Sequence, residues 1–132
     1  SGDIIYSTTP SQKYVWLGGA NNATSTDGNR WTAPNIAWPS GLAANAIAYG
    51  GGLYVMGGTN GNIATSTDGV TWTPRPSATT STIYTMSYGA SKFVAAGQLG
   101  VMETSTNGIA WTTQNSGTVT QINKVAYLNS AL

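Results

Sequence analysis

Carboxylates could carry acid–base chemistry in this chain, and arginines could bind the carboxylate of a substrate. Hydrolysis of a glycosidic bond usually needs two carboxylates that flank the bond. Across 132 residues the candidates are Asp3, Asp27, Asp68, Glu103, Arg30 and Arg75. Histidine and cysteine are absent, which removes Ser–His and Cys–His nucleophiles and thiolate metal sites. The inventory predicts a protein that is not an enzyme and that needs no metal or cofactor.

Amide side chains and aromatic rings offer a different chemistry, the binding of sugars. An amide donates and accepts hydrogen bonds at once, which suits sugar hydroxyls, and an exposed ring can stack on the apolar face of a sugar. We take as candidate ligand-binding residues Trp38, Asn21, Asn22, Asn60, Asn62, Gln98 and Trp16. The alternative is structural: the amides form turns and the two indole rings pack against neighbouring strands.

A repeat of about 40 residues positions these side chains. The same indole recurs at intervals of 41 and 39 residues, as Trp31, Trp72 and Trp111. A tyrosine recurs twice at an interval of 39, as Tyr49, Tyr88 and Tyr127. A third series agrees in phase, with "YVWLGG", "YVMGG" and "FVAAG" starting at residues 14, 54 and 93. Three series in one phase indicate three copies of one structural unit.

Each copy has the pattern of four short strands. In the second copy they are Asn45–Gly50, Leu53–Gly58, Ile63–Thr67 and Val70–Pro74. All are bounded by Gly, Asn, Asp or Pro, and no segment has helical periodicity over ten residues. We therefore predict one all-β domain of three four-stranded antiparallel repeats. Their approximate bounds are 3–44, 45–82 and 83–121, followed by a surplus strand at 122–128.

The stretch "ATSTDGVTWTP" at 64–74 predicts a hairpin between the last two strands of a copy. A two-residue hairpin loop favours a type I′ turn, in which both central residues have positive φ. We assign that turn to Asp27–Gly28, Asp68–Gly69 and Asn107–Gly108. Asparagine can form the turn but cannot replace a carboxylate in catalysis, so the third copy favours a structural role. Period-two alternation turns Trp31, Trp72 and Trp111 toward the core.

These motifs resemble a known repeat. The copies "STDGNRW", "STDGVTW" and "STNGIAW" are similar to the Asp-box, or BNR repeat, of sialidase-like and lectin-like β-propellers, with one residue fewer between the Asp and the aromatic. The resemblance implies propeller blades, with the motif as a rim hairpin away from the central ligand-binding face. A sialidase-like site would also need clustered arginines, whereas both arginines here adjoin rim hairpins.

Three blades are too few for a closed propeller, which typically has four to eight. An open arc would expose unpaired sheet faces. Two explanations stay open at this point: two copies join head to tail into a six-bladed ring, with the surplus strand crossing the joint, or the residues are part of a longer parent chain. We therefore expect self-association or a longer polypeptide.

Charge excludes several partner classes. Charged residues make up 7% of the chain, and the net charge is +1. There is no basic footprint for nucleic acid and no apolar run of about 20 residues for membrane insertion. We predict a binding module for a carbohydrate or a receptor, acting through loops between blades. The alternative is a structural assembly protein without a small-molecule ligand, such as a phage-particle component, a secreted surface protein or a designed propeller. Composition favours an extracellular or virion-associated setting.

Overall fold

The computed structural model describes residues 3–6, 14–18, 21–25, 29–30, 35–36, 43–69 and 71–127. Its first sheet is antiparallel and is described by its backbone. The strands are β1 (Asp3–Tyr6), β2 (Tyr14–Gly18) and β3 (Asn21–Ser25). β1 pairs with β2 from Asp3 opposite Leu17 to Tyr6 opposite Tyr14. The chain therefore starts a meander, as the repeat pattern predicts.

The second sheet contains the complete second repeat. A two-residue strand, β4 (Asn35–Ile36), precedes it and lies parallel to its last strand. The four antiparallel strands are β5 (Ala44–Gly50), β6 (Leu53–Gly58), β7 (Ile63–Ser66) and β8 (Thr71–Arg75). Their bounds differ from the predicted ones by one residue or none. β4 was not predicted, because two residues carry no periodic signal.

The third sheet repeats this order with β9 (Ile83–Gly89), β10 (Lys92–Gly97), β11 (Met102–Ser105) and β12 (Thr112–Thr113). Four-stranded antiparallel sheets are therefore confirmed for two repeats. The first sheet has three described strands, so the predicted third four-stranded blade is not confirmed. Residues 122–127 of the predicted surplus strand 122–128 form no strand, and residue 128 lies outside the described residues.

The type I′ turns lie at a different hairpin from the predicted one. Two-residue loops join the first two strands of the second and third sheets at Gly51–Gly52 and Ala90–Ser91, and all four residues have positive φ. At the predicted sites only Gly69 and Gly108 do, each with a φ of 76°. The prediction was wrong for Asp68–Gly69 and Asn107–Gly108, because more than two residues separate the strands there. Asp27–Gly28 lies outside the described residues.

The described core consists of two apolar clusters, of which one joins two sheets. One lies on the second sheet and centres on Tyr54, Met56 and Trp72, which are at most 3% exposed. The other joins the second and third sheets; its members are Ala46, Ala48, Val55, Ile63, Ile83, Met86, Phe93 and Ala95. Trp72 is buried while Thr71 and Thr73 are exposed, which confirms the predicted alternation. Trp111 is partly buried against the second cluster. Trp31 lies outside the described residues.

No helix of the described ranges has the length and apolarity that crossing a membrane requires. The helical segments there are two three-residue turns, Thr59–Gly61 and Gln98–Gly100, each between the second and third strands of a sheet.

Candidate functional site

A groove runs along the first strands of successive repeats. It has a volume of about 380 Å³. Two described strands and one extended segment line it: Ala46 and Ile47 of β5, Tyr84–Ser87 of β9, and Asn123–Tyr127. We call it the first-strand groove. It forms because β5 and β9 are the edge strands of their sheets and stand side by side.

Two hydroxyl groups of β9 hold the 123–127 segment in place. The backbone N–H of Val125 donates to Thr85 Oγ1 at 3.0 Å, and that of Tyr127 donates to Ser87 Oγ at 3.2 Å. Thr85 and Ser87 share one face of the strand because side chains alternate along it. The equivalent positions of the second sheet are Ala46 and Ala48, which have no hydroxyl group. Of the second and third sheets, only the third therefore has hydroxyl groups at these positions.

Tyrosine rings resting on glycines set the spacing of the repeats in this groove. The ring of Tyr88 covers Gly50, where an added Cβ would overlap it, and the ring of Tyr127 covers Gly89 in the same way. Tyr88 also packs on Phe93 with the ring centroids 4.6 Å apart. The ring of Tyr127, by contrast, is 54% exposed. The contact of a tyrosine ring with a glycine thus recurs between Tyr127 and Gly89, but there one side of the tyrosine ring stays exposed.

The groove presents hydroxyls, one side-chain amide and one cation. Beside Ala46 but outside the lining, Asn45 Nδ2 donates to the Ile83 carbonyl at 3.2 Å and bridges the two sheets. At the far side, Asn123 Oδ1 accepts from Gln121 Nε2 at 2.6 Å. Lys124 is exposed and brings a positive charge to the lining, which contains no carboxylate among the described residues. The surface therefore suits hydrogen-bonding partners with polar or acidic groups.

The predicted sugar-binding amides take structural roles where their side chains are described. Asn62 Nδ2 donates to the Thr59 carbonyl at 2.7 Å, and Gln98 Oε1 accepts from the Thr82 N–H at 3.2 Å. Asn60 is exposed and has the left-handed φ of 58° that this turn requires. The structure does not bring these three into the first-strand groove. Their ligand binding stays a prediction.

The other candidates lie where the structure gives no side-chain description. Trp16 is in β2, Asn21 and Asn22 are in β3, and only their backbone is described. Trp38 lies outside the described residues. Sugar binding by these four residues stays a prediction.

The repeated motif forms a side-chain-capped loop. Ser66 Oγ accepts from the Asp68 and Gly69 N–H groups at 3.2 and 2.7 Å and donates to Asp68 Oδ1. Asp68 Oδ1 also accepts from the Thr71 N–H at 2.9 Å, and Trp72 Nε1 donates to the Gly69 carbonyl. These bonds satisfy backbone groups in the loop. The motif is structural in this copy.

The third copy reproduces the loop with asparagine. Ser105 Oγ accepts from the Asn107 and Gly108 N–H groups, and Asn107 Oδ1 accepts from the Ala110 N–H at 2.9 Å. Trp111 Nε1 donates to the Gly108 carbonyl at 3.1 Å. Gly108 also packs closely on the second sheet, since a Cβ there would lie 2.7 Å from Leu53. The amide oxygen therefore does what the carboxylate oxygen does, as the sequence argument requires.

Glu103 is a buried carboxylate between the sheets. It is 1% exposed and occupies the β11 position that Ala64 has in β7. Ser77 Oγ donates to both carboxylate oxygens at 3.0 and 3.2 Å, and the Ala78 N–H donates to Oε2 at 3.2 Å. Burial raises the pKa of Glu103, while these hydrogen bonds oppose the rise. Glu103 anchors the connection between the second and third sheets.

Sequence reasoning missed the residues that line the groove. Thr85, Ser87 and Lys124 are common surface residue types, and nothing in the local pattern distinguishes them. The available signal was the comparison between copies, in which Thr85 and Ser87 replace Ala46 and Ala48. No cluster of three or more potential metal ligands occurs among the described residues.

Comparison with known proteins places this geometry in context. A family model described as the DUF6242 beta propeller domain matches residues 2–126. A solved structure described as YCF48 bound to D1 peptide is similar, with a TM-score of 0.65 at 15% sequence identity. The match covers 85% of this chain and 42% of that chain, so this chain spans less than half of the neighbour's length. At this identity the likeness shows the fold alone. No curated protein matches the sequence.

Proposed function

This chain belongs to the DUF6242 beta-propeller family, and from that premise we propose that it is a non-enzymatic module that binds a protein partner through an extended peptide. The first-strand groove is the observation that carries the proposal. It is lined by two first strands, β5 and β9, and by the extended 123–127 segment, and its lining offers hydroxyls, the Asn123 amide and the Lys124 ammonium. An extended peptide has the length and the regularly spaced polar groups to match such a surface.

Two further observations support a peptide. The similar solved structure is described as bound to a peptide. The face of β9 that lines the groove already binds extended chain, because the N–H groups of Val125 and Tyr127, in the segment that forms one wall, donate to Thr85 and Ser87. An absence of paired carboxylates in the described lining fits a binding role better than acid–base chemistry.

The carbohydrate-binding prediction has less support in this geometry. The side chains of Asn62 and Gln98 each use a hydrogen-bonding group in a turn. The Asp-box assignment, the alternative of a structural assembly protein and the extracellular or virion setting stay predictions as well.

A random linear peptide library displayed on phage tests the proposal, with a glycan array probed in parallel. We expect enriched peptides whose affinity falls about 10-fold for Lys124→Glu, since a charge in the groove reverses sign. Lys92→Glu is the matched control, because Lys92 is equally exposed and lies outside the lining. Peptides that tolerate K124E as well as K92E, or a glycan signal without any peptide signal, would overturn the proposal.

A further inference from the structure

The first strands of the second and third sheets each have a free backbone edge. β5 and β9 stand at one end of the strand order in their sheets, so each pairs on one side. A two-residue loop closes the β9–β10 hairpin between Gly89 and Lys92, and the β5–β6 hairpin has the same register. Residues that flank such a loop exchange both backbone hydrogen bonds, and bonded and non-bonded pairs alternate from there. The N–H and C=O groups of Ile47 and Met86 therefore point to the free edges.

These free edges face the first-strand groove. Met86 is 8% exposed in the cluster between the two sheets, and Ile47 is 7% exposed in the cluster on the second sheet. Both residues nevertheless line the groove, so they contribute mainly their backbone to it. Met86 has the central place, because β9 lies between β5 and the 123–127 segment. Within the described ranges its backbone makes no hydrogen bond outside its own sheet.

We propose that the partner peptide binds by adding a strand to the free edge of β9, with its backbone bonded to that of Met86. This inference rests on the proposed function and adds to it the chemistry of the partner. Strand addition derives its affinity from backbone N–H and C=O groups. The partner segment must therefore be extended, and it must lack proline where its N–H faces Met86.

The charge of the lining adds a preference among side chains. Lys124 is the one charged residue among the described lining residues, and it lies on the wall formed by the 123–127 segment. Side chains of a strand alternate between two faces, so every second residue of the peptide turns toward this wall. The occupant is thus a proline-free acidic segment with Asp or Glu at positions of one parity.

Backbone substitution in a peptide selected from the phage library tests strand addition. Each amide is replaced in turn by an ester, which removes one N–H and keeps every side chain. We expect the affinity, measured by fluorescence anisotropy, to fall about 10-fold for esters two residues apart and at most about 2-fold for the ester between them. A uniform profile in a peptide that binds would overturn strand addition and leave the proposed function in place. A library without any binder would overturn the proposed function and this inference with it.

The selected sequences test the charge preference. We expect Asp or Glu to be enriched at alternate positions, with the side chains that face the 123–127 segment. Replacing such a residue by Asn or Gln should weaken binding about 5-fold to the native chain and leave binding to Lys124→Gln nearly unchanged. An equal loss with both proteins would overturn the assignment of the acidic side chains to Lys124.

Amide hydrogen exchange of the native chain detects the same contact from the protein side. Ile47 is the matched control, because it has the position of Met86 in the preceding repeat and its N–H also points to a free edge. We expect saturating peptide to slow exchange of the Met86 amide at least about 10-fold and that of the Ile47 amide at most about 2-fold. Equal slowing of the two amides, or an unprotected Met86 amide in the saturated complex, would overturn the proposal.

Discussion

The second and third sheets have nearly the same backbone and differ in what faces the next repeat. The second sheet presents Ala46 and Ala48, which are 3% and 6% exposed beneath β9. The third presents Thr85 and Ser87, which bond the backbone of the 123–127 segment. One contact between repeats is therefore apolar and closely packed, and the other is polar and open at one side. The difference shows that nearly the same backbone supports either kind of contact with the chain that follows it.

Substitution of the glycines beneath the tyrosine rings should give the largest difference in unfolding free energy between the two contacts. Gly50→Ala places a methyl group into the ring of Tyr88, which is packed on Phe93 and cannot move freely. We expect a loss of about 1–3 kcal/mol in the free energy of unfolding, measured by urea denaturation. Gly89→Ala meets the ring of Tyr127, which can turn into solvent, and should cost less than about 1 kcal/mol. Equal losses would show that the two contacts are equally rigid.

Exchange of alanine and serine between the two sheets tests the difference in polarity between the two contacts directly. Ala48→Ser buries a hydroxyl in the apolar contact and should cost about 1–2 kcal/mol in unfolding free energy if no partner is found. Ser87→Ala removes the acceptor of the Tyr127 N–H. It should leave global stability nearly unchanged and accelerate hydrogen exchange of that amide about 5-fold. Unchanged exchange at Tyr127 would mean that the hydroxyl does not hold the segment.

Glu103 replaces Ala64 of the preceding repeat and adds a pH dependence. Its folded pKa is raised above the ordinary value of 4.5, so the folded chain holds this proton more tightly than the unfolded chain. The contribution to stability is fully present below pH 4.5 and is lost as the pH rises through the raised pKa. Glu103→Gln cannot titrate and keeps an acceptor for the Ala78 N–H.

We expect E103Q to gain on the order of 1 kcal/mol over the native chain at neutral pH and to lose that advantage toward pH 4. Urea denaturation of both proteins across that range measures the difference between them, which removes contributions from other groups. A difference that does not change with pH would rule out titration of Glu103 as its source.

The first hairpin loops of the two sheets should give the smallest effect. The loop is Gly51–Gly52 in the second sheet and Ala90–Ser91 in the third. Ala90 and Ser91 have φ values of 51° and 60°, which residues with a side chain adopt at a cost in free energy. Ser91→Gly should raise the unfolding free energy by about 0.5–1 kcal/mol, which a shift of the urea midpoint would report. Gly52→Ser provides the reverse substitution and should lower it by a similar amount. A destabilised S91G would show that the serine side chain contributes more than the strain it introduces.

Strand positions and turn chemistry differed in how well the sequence predicted them. The sequence pattern located β5 to β8 closely, because burial of one face imposes period-two alternation. The turn type at Asp68 was wrong because hydrogen bonds from Ser66 and Asp68 stabilise a longer loop. No local sequence pattern predicts those hydrogen bonds.

The groove was harder to predict because its lining comes from three segments about 40 residues apart. Each lining residue is ordinary in its own segment, and only the alignment of β9 with the 123–127 segment gives Thr85 and Ser87 a role. A comparison of the aligned copies for the residues in which they differ, and not for those they share, would have identified Thr85 and Ser87.

The ring-on-glycine contact also makes each stacking step depend on a single residue. Gly50 and Gly89 each follow a repeated tyrosine, and each accepts the ring of the next tyrosine in the series because it has no Cβ. After Tyr127 the sequence has Leu128 instead. The residue after the repeated tyrosine therefore determines whether a copy can receive a ring at van der Waals distance from its backbone.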